Sequence, residues 1–251
     1  MNRHEAGHTF LARMGKTRLR PGGRRATEWL LAEAGLAADS QVLEVACNMG
    51  TTAIGVARRF GCRVTGVDRD ADALAKARRA AQAAGLADRT DFRDGNALAL
   101  PFADASFDVV INEAMLTMYG AVAKPRLVAE YRRVLKPGGR LLTHDVLISD
   151  NAPAEVMTQI RVAINVQAEP LTETGWLALF RDQGFAEVRM LRGPMTLLSP
   201  AGLIADEGVG GTLRILRNAL RTANRGTFAT MFRAFRRHRR HLHFIAVCCV
   251  K

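Results

Sequence analysis

No apolar run in this 251-residue sequence approaches the roughly 20 residues that a membrane span requires; residues 244–250 form one of the longest. The first ten residues carry His, Glu and Arg where a secretory signal would need an apolar stretch. A cytoplasmic location is therefore expected, with no membrane partner. Cysteine is scarce: Cys47, Cys62, Cys248 and Cys249 stand at no metal-ligand spacing and read as buried free thiols in a reducing compartment. Cys248 and Cys249, adjacent on an apolar strand, should point to opposite faces. Aromatics make up only 6%, with two Trp and two Tyr. The core must therefore rest on Ala, Val, Leu, Ile and Met, and stacking platforms for nucleic acid are few. Acids are absent from residues 208–251, which hold nine Arg and one Lys. Residues 1–25 hold seven Lys or Arg against one Glu, so the net charge of +12 sits at the two ends and the stretch between carries −4. Arg214, Arg217 and Arg221 form a helical stripe, which reads as a solvated face rather than a nucleic-acid surface.

What is present is apolar material, 48% of the chain, enough for a sizeable core and against disorder. Short apolar strands are expected at residues 41–46, 62–67, 90–92, 107–112 and 140–146. Helices are expected at 51–60, 70–84 and 124–135, the last stopped by Lys136-Pro-Gly-Gly139. This alternation implies right-handed crossovers and a parallel sheet. Helices at 153–168 and 171–183, a strand at 186–191, a helical stretch at 199–240 and a last strand at 243–250 complete the chain. The expected fold is an α/β, Rossmann-like, seven-stranded and mostly parallel sheet with helices on both faces. It forms one domain over residues 1–251, and segments 1–25, 153–168 and 199–240 form a helical cap.

Ligands of such sheets bind beyond the carboxyl ends of the strands. After the first strand, Ala46, Asn48 and Gly50 place small or left-handed-tolerant residues at alternate positions, as a sharp turn against a ligand requires. The following helix begins at Thr51 and aims its N-terminal amides at the same place. Asp68 ends the second strand 20 residues after Asn48, the spacing of a ribose-binding acid. Gly95-Asn96-Ala97 follows the third strand, and its side-chain amide suits an adenine edge. A nucleoside is indicated. The Gly-x-Gly-x-x-Gly pattern that admits a pyrophosphate is missing, since Ala46, Asn48 and Thr51 occupy its positions, and there is no P-loop.

From Val42 to Phe185 the chain resembles the class I S-adenosylmethionine-dependent methyltransferases, particularly the ubiquinone/menaquinone C-methyltransferase-like group. Val42-Leu-Glu-Val-Ala-Cys-Asn-Met-Gly50 is similar to that family's first motif, and Val64-Thr-Gly-Val-Asp68 to its ribose-binding strand end. Gly95-Asn96-Ala97 before Leu-Pro-Phe resembles its adenine motif. Phe107-Asp-Val-Val-Ile111 and Leu135-Lys-Pro-Gly-Gly-Arg140 resemble its last two blocks. Two first-motif glycines are replaced by Ala46 and Asn48, and the adenine-motif acid by Asn96. The resemblance implies S-adenosyl-L-methionine as cofactor, held by Glu44, Ala46, Asn48, Gly50, Asp68, Arg69, Asn96 and Ala97. It also implies methyl transfer to a small molecule; the alternatives are an RNA acceptor gripped by the basic ends, or a non-catalytic binder of the cofactor.

Methyl transfer from a sulfonium is an in-line displacement, so positioning supplies much of the rate, and a base is needed only if the acceptor loses a proton. Glu113, directly after the fourth strand, is the first candidate for orienting group or base. Asp145 is the second and His144 the third; both end the fifth strand, and alternation points only one of them into the pocket. No metal is expected. His4-Glu-Ala-Gly-His8 matches a zinc-protease pattern, but Gly7 weakens the helix it needs and no third ligand follows. His238, His241 and His243 stand among arginines that disfavour a cation. Met115, Met118, Met157, Met190, Met195 and Met231 fall mostly in the cap and at strand ends, where they fill the core or line an apolar pocket.

Overall fold

The computed structural model describes residues 5–251. Two helices, α1 (Gly7–Met14) and α2 (Gly23–Glu33), precede β1 (Gln41–Val45), α3 (Thr51–Phe60), β2 (Arg63–Asp68), α4 (Ala71–Ala83), β3 (Thr90–Asp94) and β4 (Phe107–Glu113). A short 3-10 turn at Leu116–Met118 leads to α5 (Ala123–Val134), β5 (Leu135–Ile148), α6 (Ala154–Ile164), α7 (Glu173–Asp182) and β6 (Glu187–Pro194). The chain ends with α8 (Pro200–Ala219), α9 (Thr222–Arg237) and β7 (Leu242–Val250). The strands form one sheet in the order β3-β2-β1-β4-β5-β7-β6. β1 to β5 run parallel, while β7 is antiparallel to both β5 and β6. The expected Rossmann-like, mostly parallel sheet of seven strands is what the chain forms. No helix among the described residues is long and apolar enough to cross a membrane.

Two differences have local causes. β5 starts at Leu135, ahead of the Lys-Pro-Gly-Gly breaker, since Leu135 pairs with Phe107 before the register shifts and regular pairing resumes at Val109 with Arg140. The sequence reading places no element between residues 25 and 41, whereas α2 fills that interval. Its buried Ala26, Thr27, Leu30 and Leu31 recur at helical spacing and pack on the sheet.

Each face of the sheet carries its own core. One gathers Leu141, Leu147, Trp176, Phe180 and Cys249 under α5 and α7. The other gathers Leu30, Val56, Leu142, Phe244 and Cys248 under α2, α3 and α4. Cys248 and Cys249 do fall on opposite faces, and all four thiols are buried and free. A third cluster lies off the sheet: Phe10, Leu11 and Met14 of α1 pack with Leu203 and Ile215 of α8 and Met231 of α9. The segment after α1 is fastened to α8 by the buried Lys16, which pairs with Asp206 at 3.2 Å and Glu207 at 3.6 Å. The Thr17 and Arg18 amides also donate to Glu207. This strap fixes where the next residues, Arg20 to Gly23, enter the sheet's carboxyl edge.

Candidate functional site

The turn after β1 curls through three left-handed residues, with φ of 57° at Ala46, 48° at Asn48 and 71° at Gly50. Glycine adopts this conformation freely and Asn readily, but Ala pays about 1–2 kcal/mol for it, so the turn must be held from outside. The Cys47 amide donates to the Val67 carbonyl at 3.0 Å and the Asn48 amide to Asp68 Oδ2 at 2.7 Å. The other Asp68 oxygen accepts from the Asp70 amide at 3.0 Å. Each carboxylate oxygen keeps a second lone pair for a ligand. Arg69 is exposed beside it. On the next strand end Asn96 is exposed and its Oδ1 accepts from the Leu98 amide at 3.1 Å, while Ala97 is buried. His8 of α1 faces this edge. Burial lowers its pKa and the charge of Asp68 opposes that shift. A half-buried carboxylate, a turn of left-handed backbone, a helix N-terminus and a side-chain amide converge here, a set that suits a nucleoside.

Glu44, below this turn, is fully buried, and its Oε2 accepts from the Ala53 amide in the first turn of α3 at 2.7 Å. Burial, reinforced by the negative charge of Glu113, pushes its pKa up to about 8 from 4.5. The fold therefore favours the neutral acid. That contribution is complete below pH 4.5 and is lost as the pH rises to about 8. Glu44→Gln keeps an acceptor for the Ala53 amide and cannot ionise. Relative to the parent it should gain stability between about pH 4.5 and about pH 8, read from urea unfolding at several pH values. A stability difference independent of pH would refute the assignment.

Glu113 behaves in the opposite way. Oε1 accepts from Thr27 Oγ1 at 2.6 Å and faces His144 Nδ1 at 3.1 Å. Oε2 accepts from Thr52 Oγ1 at 2.7 Å and from the Arg20 guanidinium. Arg20 also donates to Thr52 Oγ1 at 2.7 Å. The Gly22 amide donates to His144 Nε2 at 2.8 Å, so the imidazole proton sits on Nδ1 and points at Glu113. That approach needs glycine, because a Cβ on Gly22 would stand 2.5 Å from the Phe244 ring. Burial alone would raise the Glu113 pKa. The Arg20 charge and the hydrogen bonds from His144 and Thr27 override it and hold the carboxyl well below the usual range. Arg20, Thr27 and Thr52 were not legible as site residues, since they lie on separate segments and join only through this carboxylate.

Asp145 stands apart from that network, on the opposite face of β5 from His144, as strand alternation requires. It lines an apolar cavity at the carboxyl ends of β4 and β5. Gly7, His8 and Leu11 of α1, Met157 and Ile160 of α6, and Met231 and Phe235 of α9 wall it. Four of the six singled-out methionines, Met118, Met157, Met195 and Met231, line it; Met115 and Met190 belong to the core under α5 and α7. Asp145 is the one carboxylate among the described lining residues. It accepts from the Thr117 amide at 3.1 Å and the Val146 amide at 2.8 Å. Burial raises its pKa above the ordinary carboxylate value. The buried Thr117 hydroxyl beside it has no well-aligned hydrogen-bond partner. Of the zinc-protease pattern, His4 lies outside the described residues, and α1 begins only at Gly7, after Glu5. His238 Nε2 meets Gln159, and His243 Nε2 meets Ser149.

A methyltransferase-domain family matches residues 42–139, the stretch that builds β1 to the start of β5. An uncharacterized protein of Haemophilus influenzae is 55% identical over 251 residues, the full length of both chains. Methyltransferase GfsG of Streptomyces halstedii is 35% identical over 130 residues, covering 52% of this chain and 46% of that one, so the match spans about half of the named relative. The crystal structure of geranyl diphosphate C-methyltransferase from Streptomyces coelicolor, with S-adenosyl-L-homocysteine bound, superposes with a TM-score of 0.66 at 22% identity, over 90% of this chain and 76% of that one. With the sheet order, the turn after β1 and the acid ending β2 all in place, residues 42–139 form an S-adenosylmethionine-dependent methyltransferase domain.

Proposed function

We propose that this enzyme methylates a small molecule with an apolar body, held in the cavity between β4, β5 and the helices α1, α6 and α9. The observation that carries the reading is the composition of that cavity: aliphatic, Met and Phe walls with one buried carboxyl, Asp145, at the strand end. S-adenosylmethionine supplies the electrophilic methyl group. Asp68 takes the ribose hydroxyls, the turn from Ala46 to Gly50 lies against the methionine portion, and Asn96 with Ala97 meets the adenine. Glu44 and Glu113 set the turn and α3 from beneath. Arg20, whose buried Nε has no protein partner, supplies positive charge next to the N-terminus of α3. Helices α1, α6, α8 and α9 act as the cap that keeps water from the reacting atoms. Isoprenoid-like acceptors, the class to which the quinone-methyltransferase resemblance and the geranyl diphosphate enzyme both point, suit such walls.

The test uses methyl-labelled S-adenosylmethionine and a cell extract divided into organic-soluble, aqueous small-molecule, RNA and protein fractions. Label should enter the organic-soluble fraction. Label in RNA would transfer the reading to a nucleic-acid acceptor, and cofactor binding without label in any fraction would make the chain a non-catalytic binder. Asp68→Ala should weaken S-adenosylhomocysteine binding by about 1.5–3 kcal/mol, or roughly 10- to 150-fold, through loss of a charge-assisted bond. The variant also frees the Asn48 amide, so the turn loosens with it. Unchanged affinity in calorimetric titration would place the ribose elsewhere.

A further inference from the structure

The second half of α8 turns Thr212, Ile215 and Ala219 inward and leaves a different face bare. Val209, Leu213, Leu216 and Leu220 are 65%, 62%, 39% and 76% exposed. Steps of four, three and four residues bring all four onto one narrow stripe of the helix. Scattered exposed aliphatics are ordinary, but a continuous stripe on one helix marks a contact surface. Arg214 and Arg217 flank it, Arg221 follows at the helix end, and Arg225, Arg236 and Arg237 extend the charge along α9, all exposed. Among the described residues none of these six arginines forms a salt bridge. No acid occurs after Glu207 in the sequence. The acids on the neighbouring segments are already engaged: Glu5 with Arg13, and Asp206 and Glu207 with Lys16 and Thr17.

We propose that this face of α8 docks on an anionic phospholipid surface, with the aliphatic stripe at the acyl boundary and the arginines on lipid phosphates. A second copy of the chain would cover the leucines but stack like-charged arginines. A nucleic acid would pair the arginines but leave the leucines in water. An anionic bilayer satisfies both, as interfacial amphipathic helices do. This is contact with a surface, not a span, so it revises the sequence expectation of no membrane partner without requiring a long apolar run. The inward side of the same helix packs through Ile215 against Leu11 and Met231, which wall the acceptor cavity. On the function proposed above, docking would set that cavity beside the phase in which an apolar acceptor dissolves; the docking itself does not depend on that function.

The full chain is sedimented at physiological salt with vesicles of phosphatidylcholine, with or without about 30 mol% phosphatidylglycerol. Binding should be at least about tenfold tighter to the anionic vesicles. Leu213→Glu with Leu216→Glu, and separately Arg214→Gln with Arg217→Gln and Arg221→Gln, should each weaken it by about tenfold or more. Unchanged S-adenosylhomocysteine affinity in both variants shows that they fold, which separates failure of docking from failure of the enzymatic reading. The proposal is overturned by any of four results. These are no binding to anionic vesicles, wild-type binding by the Leu variant, a dimer that Leu213→Glu dissociates, or tighter capture by RNA than by vesicles at the same salt.

Discussion

Glu113→Ala should lower the stability of the protein by about 3–5 kcal/mol in urea unfolding, the cost of leaving a buried charge without its partner. The carboxylate accepts from Arg20, Thr27, Thr52 and His144, and its side chain is 8% exposed. Removing it strands the Arg20 guanidinium, 9% exposed, together with two hydroxyls and an imidazole N–H. These groups are buried, so each loses a bond that it cannot readily replace. Glu113→Gln keeps the shape but turns an amide N–H₂ toward donors, and it should destabilise for the same reason, if less. A loss under about 1 kcal/mol in Glu113→Ala would show that solvent screens the pair as it does at a surface.

The same geometry bears on the role expected of Glu113 from its place after β4. A general base must be able to accept a proton near the working pH. With four donors on it, the charged Arg20 among them, Glu113 is a weak base at neutral pH, and we propose that it is a positioning residue. It ties the segment around Arg20, Thr27 of α2, the start of α3 and the end of β5 to one point. The discriminating readout is the pH profile: Glu113→Gln should lower the rate without removing the acidic limb of kcat, because that limb belongs to another group.

The sequence shows the sheet well and this network poorly, for a physical reason. Strands such as β4 and β7 are local runs of apolar residues, and helices such as α3 and α7 carry their own stop or cap: Gly61 after α3, and Thr172 before α7, where the hydroxyl accepts from the Gly175 amide. The turn from Ala46 to Gly50 is local too, and its left-handed residues stand where the alternate small residues place them. The Glu113 cluster is assembled from residues 20, 27, 52, 113 and 144, on five separate segments, and no spacing encodes it. The one trace is Gly22, needed where the chain presses on Phe244 and His144. Alternation did separate His144 from Asp145, but it could not say which would meet the cavity, because that depends on where α1, α6 and α9 return. The basic tail was legible as charge, and the bare leucine stripe beside it only once α8 was packed.

Asp145→Asn should reduce kcat by about 10²- to 10⁴-fold on an acceptor that loses a proton, the range for removal of a positioned base, while S-adenosylhomocysteine affinity stays unchanged. Asp145 has what Glu113 lacks. It faces the cavity, its two hydrogen bonds come from backbone amides, and no cation pairs with it among the described residues. Burial raises its pKa from the ordinary value of 3.8, toward the range in which a carboxylate takes up a proton usefully. The Thr117 hydroxyl, beside Asp145 and without a well-aligned partner, stands on the same wall and offers the acceptor a second polar contact. Stability provides an independent control. A folded pKa above the unfolded one means that the neutral acid stabilises the fold at low pH, and that this contribution is lost as the pH rises through the folded value. Asn cannot ionise, which favours the fold at neutral pH, but it turns an N–H₂ toward one of the two amide donors, so Asp145→Asn should cost far less stability than Glu113→Ala. The variant should therefore fold, bind cofactor and fail in turnover, and the acidic limb of the kcat profile should vanish with it. Turnover near the parental rate would mean that the acceptor carries no proton to lose or presents its reacting atom elsewhere, and that proximity alone drives the transfer.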